Sequence, residues 1–186
     1  MLELHVILSL IGIASGCVVL YGLVAGRPFR GWSLLFLATT TFTSITGFFL
    51  PPFEFDAARK VAVISLVLLG LAVASLYVFR LVGAWRWIYV ASATAALYLN
   101  VFVGVVQAFQ KVPVLQALAP TQSEPPFLIA QIAVLAIFIV LGIAAIVRFR
   151  PNLSAKCSWF KSLAVNRSQS RRCYRVFLRL GPYDHS

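Results

Sequence analysis

Acidic residues are scarce in this chain. There are five in 186 residues, against 16 Lys and Arg, and charged residues of both signs make up only 11%. A water-soluble domain carries about a quarter charged residues, so the hydrated surface of such a domain is missing. Groups that build catalytic and metal centres are also few. The two histidines, His5 and His185, lie near opposite ends, and Cys17, Cys157 and Cys173 match no zinc spacing. A bis-histidine haem site and a disulfide scaffold are excluded on these grounds. No nucleophile–base pair or paired carboxylate can be assembled at one level of the chain, so enzymatic activity is not expected, and neither is a cofactor or a metal.

What is abundant is apolar length. Hydrophobic residues make up 61% of the chain, and they gather in five runs, Leu4–Val24, Trp32–Leu50, Val61–Phe79, Trp87–Phe109 and Phe127–Val147. Each run holds 19 to 23 residues. At about 1.5 Å per residue each is long enough, as a helix, to cross a hydrocarbon core of about 30 Å. The expected fold is all-α: an integral membrane bundle of five transmembrane helices over residues 1–150, followed by a short basic cytoplasmic tail, 151–186. Only Arg80-Leu-Val-Gly-Ala-Trp-Arg86 separates the third run from the fourth, which makes those two an antiparallel hairpin.

Basic residues resist translocation and so report orientation. With the N-terminus outside, 13 of the 16 fall on the inner side: Arg27, Arg30, Arg80, Arg86, Arg148, Arg150 and seven in the tail. Arg59, Lys60 and Lys111 are left outside, together with four of the five acids. Trp32, Trp85 and Trp87 then sit at the inner boundary, where an indole buries its ring and still reaches the headgroups. The first run contains Ala14-Ser15-Gly16-Cys17, close to the pattern that precedes a lipidated cysteine. Its n-region carries Glu3 and no Lys or Arg, and Val18 to Val24 stays apolar after the cysteine, so it reads as a retained helix.

Polar residues inside spans are costly in lipid and face another helix or a cavity. In the second run Thr40, Ser44 and Gly47 share a face at i, i+4, i+7, with Thr39, Thr43 and Thr46 beside them. The fourth run carries Asn100, Gly104, Gln107 and Lys111 on one face, and Gln131 lies at a similar depth in the fifth. These residues form a candidate polar belt: Thr40, Thr43, Ser44, Thr46, Asn100, Gln107 and Gln131. Two readings stay open, hydrogen bonding between packed helices and an outward-facing cavity for a small solute. Packing is favoured because no ionisable side chain occupies the centre of any span, where proton relays and ion paths place theirs. Small residues point the same way. Gly12 with Gly16, and Gly70 with Ala74, have the spacing that lets helices approach closely, within one bundle or between two copies.

The outer loops contain Pro51-Pro-Phe-Glu-Phe-Asp56 and the stretch from Val112 to Phe127, whose Leu115 and Leu118 are placed to lie on the outer leaflet. Convergence of His5, Glu54, Asp56 and Glu124 on a metal or substrate is the less favoured reading beside surface solvation. Thr43-Ser-Ile-Thr-Gly-Phe-Phe-Leu-Pro51, Trp85-Arg-Trp-Ile-Tyr89, Leu97-Tyr-Leu-Asn-Val-Phe102 and Ala119-Pro-Thr-Gln-Ser-Glu-Pro-Pro126 resemble an uncharacterised family of small multi-pass inner-membrane proteins of proteobacteria. The resemblance covers residues 1–151 and implies a bacterial inner (plasma) membrane; it implies no activity.

The tail holds seven basic residues and one acid in 36 positions. A short amphipathic helix over 171–180 would set Arg172, Arg175 and Arg179 opposite Cys173, Val176, Phe177 and Leu180, a pattern suited to anionic lipid headgroups at the cytoplasmic face. Nucleic acid is the disfavoured partner, since no nucleic-acid fold fits so short a segment. Three function classes follow: a non-enzymatic accessory or interaction protein of the membrane, a transporter of a small solute or lipid, and a membrane enzyme, in that order. The expected partners are the bilayer itself and a second membrane protein or a second copy of the chain.

Overall fold

Among the described residues four helices are long and apolar enough to cross a membrane: Leu4–Val24, Arg59–Val78, Trp85–Lys111 and Pro125–Arg148. A computed structural model describes residues 2–27, 29–48 and 57–149, all within the compact unit Met1–Arg150. The tail 151–186, with the expected helix 171–180 and Arg172, Arg175 and Arg179, lies outside the described residues, as do Glu54 and Asp56. Among the described residues every regular element is helical. They are α1 (Leu2–Val24), α2 (Arg30–Phe48), α3 (Ala57–Val73, continued by a π-helical turn Ala74–Val78), α4 (Trp85–Lys111), α5 (Pro113–Leu118) and α6 (Pro125–Arg148).

Helix α2 is where the count departs from expectation. Thr39, Thr40, Thr41, Thr43, Ser44 and Thr46 fall within its 19 residues and dilute its apolar character, so it is not among the four helices that meet the length and hydropathy requirement. It nevertheless pairs with α1 along its length. At one end His5 of α1 meets Thr46, and at the other the ring of Phe29 lies against Gly22. The chain turns between them through Gly26, whose positive φ of 69° a side chain would strain.

Helix α3 and α4 form a hairpin whose turn begins inside α3. The N–H of Phe79 donates to the carbonyl of Ala74 at 2.9 Å, the five-residue spacing of a π turn, and that of Leu81 reaches one residue further, to Ser75 at 3.0 Å, as the helix ends. Arg80 and Leu81 then adopt positive φ of 49° and 59° and reverse the chain. The rings of Phe79 and Trp85 stack across the turn, with centroids 3.6 Å apart and planes within 2°.

The largest apolar core lies toward the end where α1 finishes. Val19, Leu20 and Leu23 of α1 pack with Phe36 and Leu37 of α2, Leu69 of α3, Tyr89, Val90 and Leu97 of α4, and Phe149 beyond α6. A smaller cluster at the opposite end joins Phe109, Ala119 and Phe127 under α5. Leu115 packs against that cluster, while Val114 and Leu118 stay exposed. Most of α6 outside its contacts is an exposed row of Ile, Leu and Val.

The small-residue pairs behave differently from each other. Gly12 and Gly16 are buried, and a Cβ at Gly16 would overlap Leu97 and come within 2.9 Å of the Phe36 ring. Gly70 is exposed with nothing within 4 Å of its would-be Cβ, and Ala74 is half-buried. The buried face of α3 and its π turn is Ser65, Leu69, Ala72 and Ser75, so among the described residues Gly70 lies off the packed face and Ala74 at its edge. Since Leu97 and Phe36 are themselves fully buried, Gly16→Ala is expected to cost about 1–3 kcal/mol through overpacking. Gly70→Ala is expected to be neutral or to stabilise by up to about 1 kcal/mol through helix propensity. Thermal unfolding of both variants in mild detergent checks the contrast.

Candidate functional site

The polar residues of α1, α2 and α4 form a seam. On α1, His5, Ser9, Gly12 and Gly16 recur at i, i+4, i+7 and i+11, one face of a helix. That face looks onto the hydroxyl-rich side of α2 and onto Asn100 of α4. From His5 to Gly12 the seam runs about 10 Å along the helix axis, and at Gly16 it closes against Leu97 and Phe36.

Most of its hydroxyls are committed to their own helix. Thr39 donates to the carbonyl of Leu35 at 2.7 Å, Thr41 to Leu37 at 2.6 Å, Thr43 to Thr39 at 2.9 Å, Ser44 to Thr40 at 2.9 Å and Thr46 to Phe42 at 2.8 Å. This i−4 bonding lets a helix carry hydroxyls without water, at the cost of a slight bend. The Thr46 hydroxyl also lies 3.0 Å from His5 Nδ1, a hydrogen bond that joins α2 to α1 and whose direction follows the tautomer of the imidazole. Across the seam Ser9 donates to Asn100 Oδ1 at 2.9 Å.

Gly12 marks the inner end. A Cβ there would lie 3.0 Å from Asn100 Nδ2, 3.1 Å from Thr40 Oγ1 and 3.5 Å from Thr39 Oγ1. Thr40 is 2% exposed and Asn100 8%, and neither Thr40 Oγ1 nor Asn100 Nδ2 has a hydrogen-bond partner. An unpaired buried polar group costs about 1–3 kcal/mol, so the pair is energetically consequential. Through its bond from Ser9, Asn100 ties α1 to α4 beside α2.

The expected belt therefore divides. Thr40, Thr43, Ser44, Thr46 and Asn100 come together around α1. Gln131 is buried at 7% exposure but sits between α6 and α4, where its Nε2 donates to the Phe102 carbonyl at 3.4 Å and its Oε1 has no partner. Gln107 is exposed and takes no part. The seam's members on α1, His5 and Ser9, were not among the expected belt residues; their i, i+4 spacing in line with Gly12 and Gly16 is the signal that identifies them.

Of the residues considered for an outer metal or substrate site, His5 and Glu124 are described and each has its own hydrogen-bond partners, while Glu54 and Asp56 lie outside the described residues. Glu124 closes the loop before α6, where desolvation pushes its carboxyl up but hydrogen bonds from the Thr121 N–H, the Thr121 hydroxyl and the Ser123 N–H outweigh that and hold it below its ordinary value. His5 is engaged with Thr46, and among the described residues no three His, Cys, Asp or Glu side chains are placed to share a metal ion. No protein-family model, curated protein or solved structure matches the chain. Its chemistry is therefore read from the seam itself.

A hydrogen bond between packed helices contributes about 0.6 kcal/mol on average and up to about 1.7 kcal/mol. Ser9→Ala and Asn100→Leu, made singly and together, are expected to show a coupling free energy in that range when unfolding is measured in mild detergent. Additive effects of the two substitutions would mean that the 2.9 Å contact does not hold α1 to α4.

Proposed function

We propose that this chain is a five-span integral protein of a bacterial inner membrane, with its N-terminus outside and its C-terminus in the cytoplasm. Its bundle acts as a non-enzymatic accessory or interaction module. The observation that carries this reading is the fate of the polar side chains: the hydroxyls of α2 are tied to carbonyls of their own helix rather than arrayed for a solute. Lipid offers no water to replace those bonds, so a helix that satisfies its own hydroxyls is suited to span. That supports α2 as the fifth span despite its weaker hydropathy, since it runs antiparallel beside α1 from Phe29 to Thr46.

Orientation is supported by the distribution of basic residues, 13 of 16 on one side. The bacterial inner membrane rests on the resemblance carried by residues 1–151. The partners follow from the same surfaces. Anionic headgroups suit the basic side and the arginines of the tail, Arg172, Arg175 and Arg179. The exposed apolar rows of α3 and α6 suit lipid, a second membrane protein or a second copy. A second reading, a transporter of a small solute or lipid, draws its support from one place: the unpartnered Thr40 Oγ1 and Asn100 Nδ2 at Gly12.

Alkaline phosphatase, active only outside the cytoplasm, tests the arrangement. Fusions after Pro52 or Thr121 are expected to be active, and fusions after Gly31, Gly83 or Ser154 inactive. An inactive fusion at Pro52 would show that α2 does not span, and high activity at Ser154 would overturn the orientation.

A further inference from the structure

We propose that the end of the bundle where α1 and α6 finish holds the phosphate headgroup of an anionic phospholipid, with Arg27, Arg86 and Arg148 as its ligands. These arginines come from three separate stretches of chain, and the structure brings those stretches to one place. Arg86 Nη1 donates to the carbonyl of Phe149 at 2.8 Å, which ties the start of α4 to the end of α6. A Cβ on Gly26 would lie 3.4 Å from the Arg148 carbonyl, which puts the α1–α2 turn and its Arg27 against the same helix end. Arg27 and Arg148 are exposed, and Arg86 is half-buried and gives one of its five N–H donors to Phe149.

The site has no internal counter-charge among the described residues. Glu124, the one acid among the described side chains, precedes the other end of the 24-residue α6, about 35 Å away, and accepts hydrogen bonds from its own loop. Three arginines on stretches of chain held this close, with no carboxylate among the described residues beside them, concentrate positive charge, and a phosphate diester offsets that charge while accepting charge-assisted hydrogen bonds. What favours a lipid over a free phosphate is the surface next to the charge. Val140, Ile143 and Val147 form an exposed row on α6 that ends one residue before Arg148, so the patch is amphiphilic, with a place for acyl chain beside a place for headgroup.

This inference rests on the membrane reading above, and the fusion reporters test that reading separately. The full chain, purified in mild detergent, is titrated with phosphatidylglycerol, phosphatidylcholine or inorganic phosphate, and bound lipid is counted by native mass spectrometry. Two double variants of equal charge loss are compared, Arg27→Gln with Arg148→Gln, and Lys60→Gln with Lys111→Gln at the opposite end. All four side chains are exposed, so both variants are expected to fold as the parent does, which thermal unfolding checks. The parent and the lysine variant are expected to retain phosphatidylglycerol over phosphatidylcholine, and the arginine variant to lose that preference by about tenfold or more. Equal retention of the two lipids by the parent, or equal loss in both variants, would overturn the site. Displacement of phosphatidylglycerol by inorganic phosphate at equal concentration would show that the patch takes a free anion instead.

Discussion

The close approach of α1 to α2 and α4 along its Gly12–Gly16 face is what the rest of the bundle depends on. At Gly16 the neighbouring side chains are apolar and fully buried, so the approach there is a matter of shape, and any side chain would push Leu97 and Phe36 apart. At Gly12 the neighbours are polar, and the missing side chain lets Asn100 and Thr40 lie against the backbone of α1. The first contact anchors the apolar core at one end of the molecule. The second determines whether the polar groups above it find partners.

A helix bearing seven hydroxyls has two ways of living without water. One is to turn the hydroxyls toward a cavity; the other is to return each to the carbonyl four residues before it. Helix α2 takes the second course at Ser33, Thr39, Thr41, Thr43, Ser44 and Thr46. Thr40 is the exception, and it is the hydroxyl that faces Gly12. Concentration of the unpaired groups at one spot, rather than along the whole seam, is why the seam is read as a clasp between helices.

Much of this architecture was legible in the sequence because it follows from length and period. The apolar runs mark α1, α3, α4 and α6 to within a few residues, and the spacing of Thr40, Ser44 and Asn100 puts them on single helical faces. Which faces meet is set by packing of the whole bundle, and spacing carries no information about that. Hence Gly70 and Ala74 share the motif of Gly12 and Gly16, while Gly70 meets nothing within 4 Å among the described residues. For the same reason Gln107 is exposed and Gln131 pairs with the backbone of α4 instead of joining the α1 seam. His5 and Ser9 are lone polar residues on an apolar helix, and they gain meaning once Thr46 and Asn100 are known to lie opposite. Nothing in Ala74-Ser-Leu-Tyr-Val78 announces a π turn; it arises where α3 must end against the stacked Phe79 and Trp85.

The claim on which the account turns is that the seam is closed to water at Asn100. Solvent access there can be read directly by cysteine labelling, with Cys17, Cys157 and Cys173 first replaced by alanine in the full chain. In that background Gln107→Cys, at an exposed position, is expected to react readily with a water-soluble maleimide. Asn100→Cys, at a position 8% exposed between α1, α2 and α4, is expected to resist it until the protein is unfolded. Labelling of Asn100→Cys in the folded protein at a rate comparable to Gln107→Cys would contradict the clasp and make the seam a water-filled cavity.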